Sequence, residues 1–262
     1  MKQKVLFKDA GNHLSYREIW DLQESLLQQN VKRKSEKKEL EASSQNLINN
    51  QFSIFNNQLP TSSLPLSSVD RHLSTCNHLL FAEHTPVYTL GKSGDIGHVL
   101  IDEKERKEKG IDFFKINRGG DITFHGPGQL VGYPILDLEN FKTDLGWYLR
   151  NLEEVIILTM AGYGVKGDRS KGETGVWIDP EIKGKERKIC AMGIRCSRWI
   201  TMHGFAFNVN TNLDYFNYII PCGIKNKQVT SLQKELGYEI PMAQVKQKVK
   251  NNFEKVFDAE II

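Results

Sequence analysis

Residues 118–138 read RGGDITFHGPGQLVGYPILDL, and this stretch organises the rest of the chain. A Gly119-Gly120 pair follows Arg118, an alternating segment runs from Ile122 to His125, a His-Gly-Pro-Gly turn comes next, and Val131 to Leu138 is apolar enough for a buried strand. Gly119, Gly120, Gly126 and Gly128 leave main-chain N–H groups open to close approach, while Arg118 and His125 put polar groups at the edges. Two ordinary tight turns would use the same glycines. Their concentration with the alternating segment favours a backbone-lined pocket that leads into the core.

Working outward, the flanks supply strands and helices. Upstream, His78 to His84 and Pro86 to Leu90 read as strands, separated from a third at Phe113 to Ile116 by a glycine-bearing turn at Gly91 to Gly97. Downstream, Thr143 or Asp144 caps a helix through about Met160, with Leu145, Tyr148, Leu149, Leu152, Ile156 and Thr159 on one face. Three β-type segments follow at Gly175 to Ile178, Lys188 to Arg195 and Ile200 to Val209. A last helix, Met242 to Phe257, carries Met242, Val245, Val249, Phe253 and Val256 at helical spacing. At the start of the chain, Val5 to Leu14 reads as a strand and turn, and Tyr16 to Leu27 as a helix with a stripe of Tyr16, Ile19, Trp20, Gln23 and Leu26 or Leu27. This order predicts an α/β or α+β domain, a mixed sheet with helices packed on one side.

One segment stands apart. Val31 to Ser44 (VKRKSEKKELEASS) can extend the first helix on charge pairs but offers almost nothing to bury, so it reads as a solvated arm whose removal should leave the core intact. Asn46 to Ser68, rich in Asn, Gln, Ser and Pro, reads as a long loop pinned by Phe52, Ile54, Phe55 and Leu59. The whole of 1–262 is expected to be one domain with a polar insert at about 31–74.

Composition narrows the function classes. A net charge of +3 and a pI near 8.5 do not demand nucleic acid, although Lys32 to Lys38 is a basic patch that could meet an acidic protein. No apolar run approaches the ~20 residues of a transmembrane helix, and the opening MKQKVLFKDA has no long apolar core, so a cytoplasmic protein is expected. The four cysteines, Cys76, Cys190, Cys196 and Cys222, are scattered and in that compartment would be reduced. His72, His78, His84 and His98 lack ligand-like spacing, and no metal is expected.

Two residues could carry chemistry. Cys222 sits in Pro221-Cys222-Gly223, a turn at the end of an apolar run, and a free thiol of ordinary pKa needs a nearby cation to ionise at neutral pH. Lys188, opening KICAMGIR, could supply that charge and, after losing a proton, act as a base. Each taken alone is as easily a buried thiol and a solvated lysine. Cys190, alternating with Lys188, is a pocket-wall residue or a core filler, and Cys76 and Cys196 read as structural.

The run Arg-Gly-Gly-Asp-x-Thr-Phe-His-Gly-Pro-Gly-Gln (118–129), followed by Tyr133, resembles the signature of the lipoyl(octanoyl) transferases. Glu83-His84-x-Pro86-Val87-Tyr88-Thr89-x-Gly91 and His203-Gly204-x-Ala206-x-Asn208-Val209-Asn210 are similar to further runs of that family. The resemblance implies the biotin/lipoate protein ligase-like fold, a mixed sheet flanked by helices. It implies that Cys222, in its Pro-Cys-Gly context, carries the acyl group, and that Lys188 activates it. Arg118, Gly119, Gly120, Asp121, Ile122, Thr123, Phe124 and His125 would then bind the acyl chain. Ala191, Met192 and Gly193 would join them from one segment, and His203, Gly204, Phe205 and Ala206 from another. No cofactor is implied. The implied partners are octanoyl-acyl carrier protein as donor, and lipoyl domains of 2-oxoacid dehydrogenase complexes and the glycine cleavage H protein as acceptors, with no nucleic acid and no membrane.

Two other readings use the same residues. An ATP-dependent lipoate-protein ligase typically has a third glycine and a His-Asp, where this chain has Gly120-Asp121 and His125-Gly126-Pro127. A non-catalytic binder of lipoyl domains or acyl carrier protein would leave Cys222 incidental. The joint presence of Lys188 and Cys222 argues against both.

Overall fold

The computed structural model describes residues 2–54, 74–220 and 228–262, with 46–54 described by the backbone alone. In chain order the elements are β1 (Gln3–Asp9), α1 (Tyr16–Ile54), β2 (Asn77–Ala82), β3 (Val87–Leu90), α2 (Glu103–Glu108), β4 (Asp112–Lys115), β5 (Ile122–His125) and β6 (Gln129–Ile135). They continue with α3 (Leu145–Ala161), β7 (Val176–Ile178), β8 (Arg187–Ser197), β9 (Ile200–Asn208), β10 (Gln228–Val229), α4 (Leu232–Leu236), α5 (Met242–Phe257) and β11 (Ala259–Ile261). The main sheet has eight strands in the order β10-β8-β9-β6-β2-β1-β11, with β7 also paired to β8, and β4-β3-β5 form a second, three-stranded sheet. The main sheet is mixed: β2, β6, β9 and β8 run antiparallel in turn, whereas β1 is parallel to β2 and β11, and β10 is parallel to β8.

Helices cover both faces of the main sheet, where the sequence pattern suggested one. The period-2 alternation of β2 explains this. Leu79 and Phe81 point to α3 and α5, meeting Leu152, Ile156, Val245, Val249 and Phe253 in the largest core. Leu80 and Ala82 point the other way, to Ile19 and Leu27 of α1. Continuous apolar strands such as β6 are therefore buried on both sides, and each Leu, Ile or Phe so buried contributes about 1.5–3 kcal/mol. Asp144 starts α3 by accepting a hydrogen bond from Trp147 N at 2.9 Å. The buried face of α3 is Tyr148, Leu152, Glu153, Val155, Ile156, Thr159 and Met160, while Leu145 is exposed.

The expected arm is instead a structural helix. α1 runs unbroken through 31–44 and on to Ile54, so the loop expected over 46–68 begins as helix; its remainder from Phe55, with Leu59, lies outside the described residues. The inward stripe of α1 continues past Leu27 with polar residues at the same spacing, Asn30 and Lys34. Asn30 clasps the backbone of Cys76 in both directions, at 2.8 and 2.9 Å. Lys34 is buried, its Nζ 2.9 Å from Asp137 Oδ1, 2.8 Å from Glu139 Oε2 and 2.9 Å from Arg198 O. Lys32–Glu36 and Lys37–Glu41 pairs at (i, i+4) line its outer side.

Candidate active site

β8 and β9 pair with Ala191 opposite Ala206 and Gly193 opposite Gly204, so four small residues occupy one face of the sheet. They floor a cavity of about 50 Å³ walled by Ile122, Thr123 and His125 of β5 and by Tyr16 of α1, with Arg118 and His203 toward one end and Lys188 toward the other. Gly204 is required there, because a Cβ would stand 2.3 Å from Gly132 O and 2.6 Å from Pro134 Cδ. Of the sequence-predicted pocket residues, Arg118, Gly120, Asp121, Ile122, Thr123, His125, Ala191, Met192, Gly193, His203, Gly204, Phe205 and Ala206 line this cavity. Gly119 and Phe124 do not. Gly119 N is bonded to Ile194 O at 2.9 Å, and the pleat of β5 turns Phe124 away to stack on Tyr215, ring centroids 4.6 Å apart.

The Arg-Gly-Gly loop is a clasp. Arg118 donates through Nη2 to Thr89 O at 2.8 Å and Thr89 Oγ1 at 3.1 Å, and through Nη1 to Gly119 O at 3.0 Å. Asp121 is likewise occupied, accepting from His98 Nδ1 at 2.5 Å and Asp95 N at 3.2 Å. These contacts fix the loop before any ligand arrives.

Two of the site's histidines are locked as neutral rings. The Leu14 carbonyl can only accept, so His84 Nδ1 carries the proton donated to it at 3.2 Å, and His84 Nε2 accepts from Tyr133 Oη at 2.6 Å. Burial takes the His84 pKa down to about 4, against the opposing effect of the Leu14 bond. His125 donates through Nδ1 to Gln129 Oε1 at 2.8 Å and accepts from Thr89 Oγ1 at 3.3 Å. Burial holds its pKa well below 6.5, helped by the positive potential of neighbouring groups. Gln129 passes the chain on to Asn208 at 2.8 Å, and Asn208 to Thr230 O at 3.0 Å, tying both sheets to the end of β10. Neither ring has a nitrogen left for proton transfer.

Lys188 is built differently. Its side chain is 11% exposed, with Nζ 4.6 Å from the Trp177 ring centroid and 3.9 Å from Glu173 Oε2. The stem runs past Gly175, whose φ of +113° and whose separation from Cys190 O, 2.4 Å for an added Cβ, admit no other residue without a shift. Gly175 N is in turn held by the fully buried Glu153, Oε1 at 3.0 Å, while Glu153 Oε2 takes Arg150 at 2.6 Å and Arg169 at 3.0 Å. Nζ thus has an aromatic face on one side and a carboxylate nearby, and is held at one end of a narrow cavity. Trp177, Glu173 and Glu153 were not singled out from sequence. A carboxylate inside the apolar stripe of α3 was the available signal for Glu153.

Cys222 lies outside the described residues. The described chain reaches Ile220, whose N–H donates to His98 O at 2.8 Å, and resumes in β10, where Gln228 pairs with Arg187 and Val229 with Lys188. Cys190 is a core filler: it is buried against α3 and its thiol pKa is pushed up by burial. Cys76, Cys190 and Cys196 are free thiols. Among the described residues no cluster of His, Cys, Asp or Glu could hold a metal ion, and no helix is long and apolar enough to cross a membrane.

Known proteins similar to this chain fall in one family. Residues 66–254 match the model of the lipoyl protein ligase A/B catalytic domain. The chain is 50% identical over 265 residues to an octanoyltransferase of Flavobacterium johnsoniae, covering all of both chains. It is 51% identical over 262 residues to an octanoyltransferase of Christiangramia forsetii, covering 100% of this chain and 99% of that one. Both matches include the 31–74 segment. Among solved structures, the fold is similar to a putative lipoate protein ligase from T. acidophilum with bound lipoic acid, with a TM-score of 0.60, 13% identity, and coverage of 100% of this chain and 88% of that one.

Proposed function

The chain belongs to the lipoyl protein ligase A/B catalytic-domain family, and from that premise we propose that it is an octanoyltransferase working through a thioester on Cys222. The donor is octanoyl-acyl carrier protein, the acceptor is a lysine of a lipoyl domain, including those of 2-oxoacid dehydrogenase complexes and the glycine cleavage H protein, and the compartment is the cytoplasm. The observation that carries the reading is Lys188, an amine held at one end of a furrow floored by Ala191, Gly193, Gly204 and Ala206, placed to take a thiol proton and then to stand as the cation beside the thiolate. Its strand neighbour β10 is the continuation of the Cys222 segment.

The steps balance without an added reagent. Lys188 takes the Cys222 proton, and the thiolate attacks the donor's thioester carbonyl, forming a new C–S bond and breaking the carrier's. The departing carrier thiolate takes the proton back from Lys188. The acceptor amine then attacks the enzyme thioester, its proton passes to Lys188, and Cys222 leaves as thiolate. Main-chain N–H groups near the cavity mouth would face the oxyanion in both steps. A thioester is uphill of the amide formed, so no nucleotide is needed. The ligase reading fits less well: Asp121 stands where a third glycine is typical and is spent on His98 and Asp95.

The test is intact-protein mass after mixing with octanoyl-acyl carrier protein. The expected result is one octanoyl adduct, removed by hydroxylamine and absent in Cys222→Ala. Normal turnover by Cys222→Ala would overturn the covalent route.

A further inference from the structure

His203 differs from the other two histidines of the site. It sits within β9 at φ +58°, a left-handed conformation rare for a non-glycine residue in a strand. Its N–H leaves the ladder to donate to Gln23 Oε1 of α1 at 3.0 Å. The residue is 2% exposed and lines the cavity, yet neither Nδ1 nor Nε2 has a hydrogen-bond partner among the described residues. Buried imidazoles are normally satisfied, as His84 and His125 are, and an exception calls for a water, an ion or a functional partner to complete it. Arg118, the other polar group at this end, is already committed to Thr89 and Gly119.

Strand register fixes which end this is. Lys188 pairs with Val229, and His203 pairs with Ile194, six residues further along β8. At ~3.3 Å per residue the two ends are roughly 20 Å apart between Cα atoms. The lysine stem and the imidazole ring take up about half of that length. What remains is comparable with an extended eight-carbon chain, which advances about 1.25 Å per carbon from bonds of ~1.5 Å. The far end of such a chain therefore meets a ring that can give and take hydrogen bonds, where a purely apolar pocket would have ended in Leu or Phe.

We propose that His203 is a specificity-determining end wall that measures the acyl chain by hydrogen bonding: with an octanoyl group it holds one water beyond the terminal methyl. A longer alkyl chain must expel that water and leave the ring unsatisfied, whereas a chain ending in a hydroxyl replaces it. The inference rests on the acyl-transfer reading above and adds a second substrate class, ω-hydroxylated medium-chain acyl thioesters.

The test compares 8-hydroxyoctanoyl and nonanoyl thioesters of acyl carrier protein, which have equal numbers of heavy atoms, with octanoyl as reference. Competing pairs are loaded onto the wild-type enzyme and the adducts read by mass. Wild type should take 8-hydroxyoctanoyl over nonanoyl by about ten-fold, the discrimination lost when one buried hydrogen bond goes unmade. In His203→Leu, checked for unchanged thermal unfolding, that preference should fall to near unity or reverse. Equal loading of the two nine-atom chains by wild type overturns the inference even if His203→Leu fails to fold. A preference that survives in folded His203→Leu overturns it too. Failure of wild type to load octanoyl overturns the acyl-transfer reading itself.

Discussion

Lys34→Met should destabilise this protein although it lies in what the sequence presents as a charged, solvent-facing run. The lysine side chain is 9% exposed and its Asp137 partner 4%, so the substitution removes a cation from a buried carboxylate. Breaking a buried pair by deleting one partner typically costs 3–5 kcal/mol, because the remaining charge is left uncompensated. Asp137 keeps two other hydrogen bonds, from Thr75 Oγ1 at 2.8 Å and Glu139 N at 3.1 Å, which places the cost at the low end, about 3 kcal/mol. The Lys34–Glu139 contact adds little, since Glu139 is 45% exposed. For a chain of this size about 1 kcal/mol moves Tm by ~2–4 °C, so Lys34→Met should melt roughly 6–12 °C lower. Asp137→Asn in the Lys34→Met background should recover most of the loss, since a neutral amide tolerates the site without a cation. Thermal unfolding of the two single variants and the double closes the cycle. A shift under about 2 °C for Lys34→Met would refute the reasoning and restore the picture of α1 beyond residue 31 as a solvated arm.

Lys188→Arg keeps a cation that can hold the Cys222 thiolate but can neither take nor return a proton, so acyl loading from the carrier should slow less than onward transfer, which must deprotonate the acceptor amine and should fall by ten-fold or more; separate timing of the half-reactions by mass and by lipoyl-domain gel shift checks this, and wild-type onward transfer would make Lys188 a charge only. Glu153→Ala should release Gly175 N and leave Arg169 with only Glu154 and the Arg150 carbonyl, costing about 2–3 kcal/mol in chemical denaturation, whereas Glu153→Gln, which still accepts from Gly175 N, should cost less; equal losses would contradict the clamp. The pKa of His84 falls from 6.5 to about 4 on folding, so the unfolded chain binds more protons across that window. Folding stability is therefore full above pH 6.5 and declines as pH falls toward 4, by roughly 3 kcal/mol from this group, and His84→Gln should flatten that part of the stability profile.

The chain's local patterns determine most of the elements and half of the site. The Asp144 cap, the α5 stripe of Val245, Val249 and Phe253, and the apolar strand after Gly128 are each short-range signals, carried by residues that face one environment along one element. The small residues at 191, 193, 204 and 206 are equally legible, but their meeting is not: Ala191 stands opposite Ala206 only because β8 and β9 pair in that register. The same limit explains the reading of α1. Asn30 and Lys34 are polar, so periodicity alone counts them as outward, and what turns them inward is the backbone of Cys76 and the carboxylate of Asp137, 46 and 103 residues away. Helices on the second face of the sheet, the Trp177 ring under Lys188, and the unsatisfied ring of His203 also depend on groups brought together from distant segments. Sequence fixes what each residue can bury, donate or accept. Only tertiary packing decides which partner removes it from water, and the chemistry at Lys188 and His203 follows from that choice.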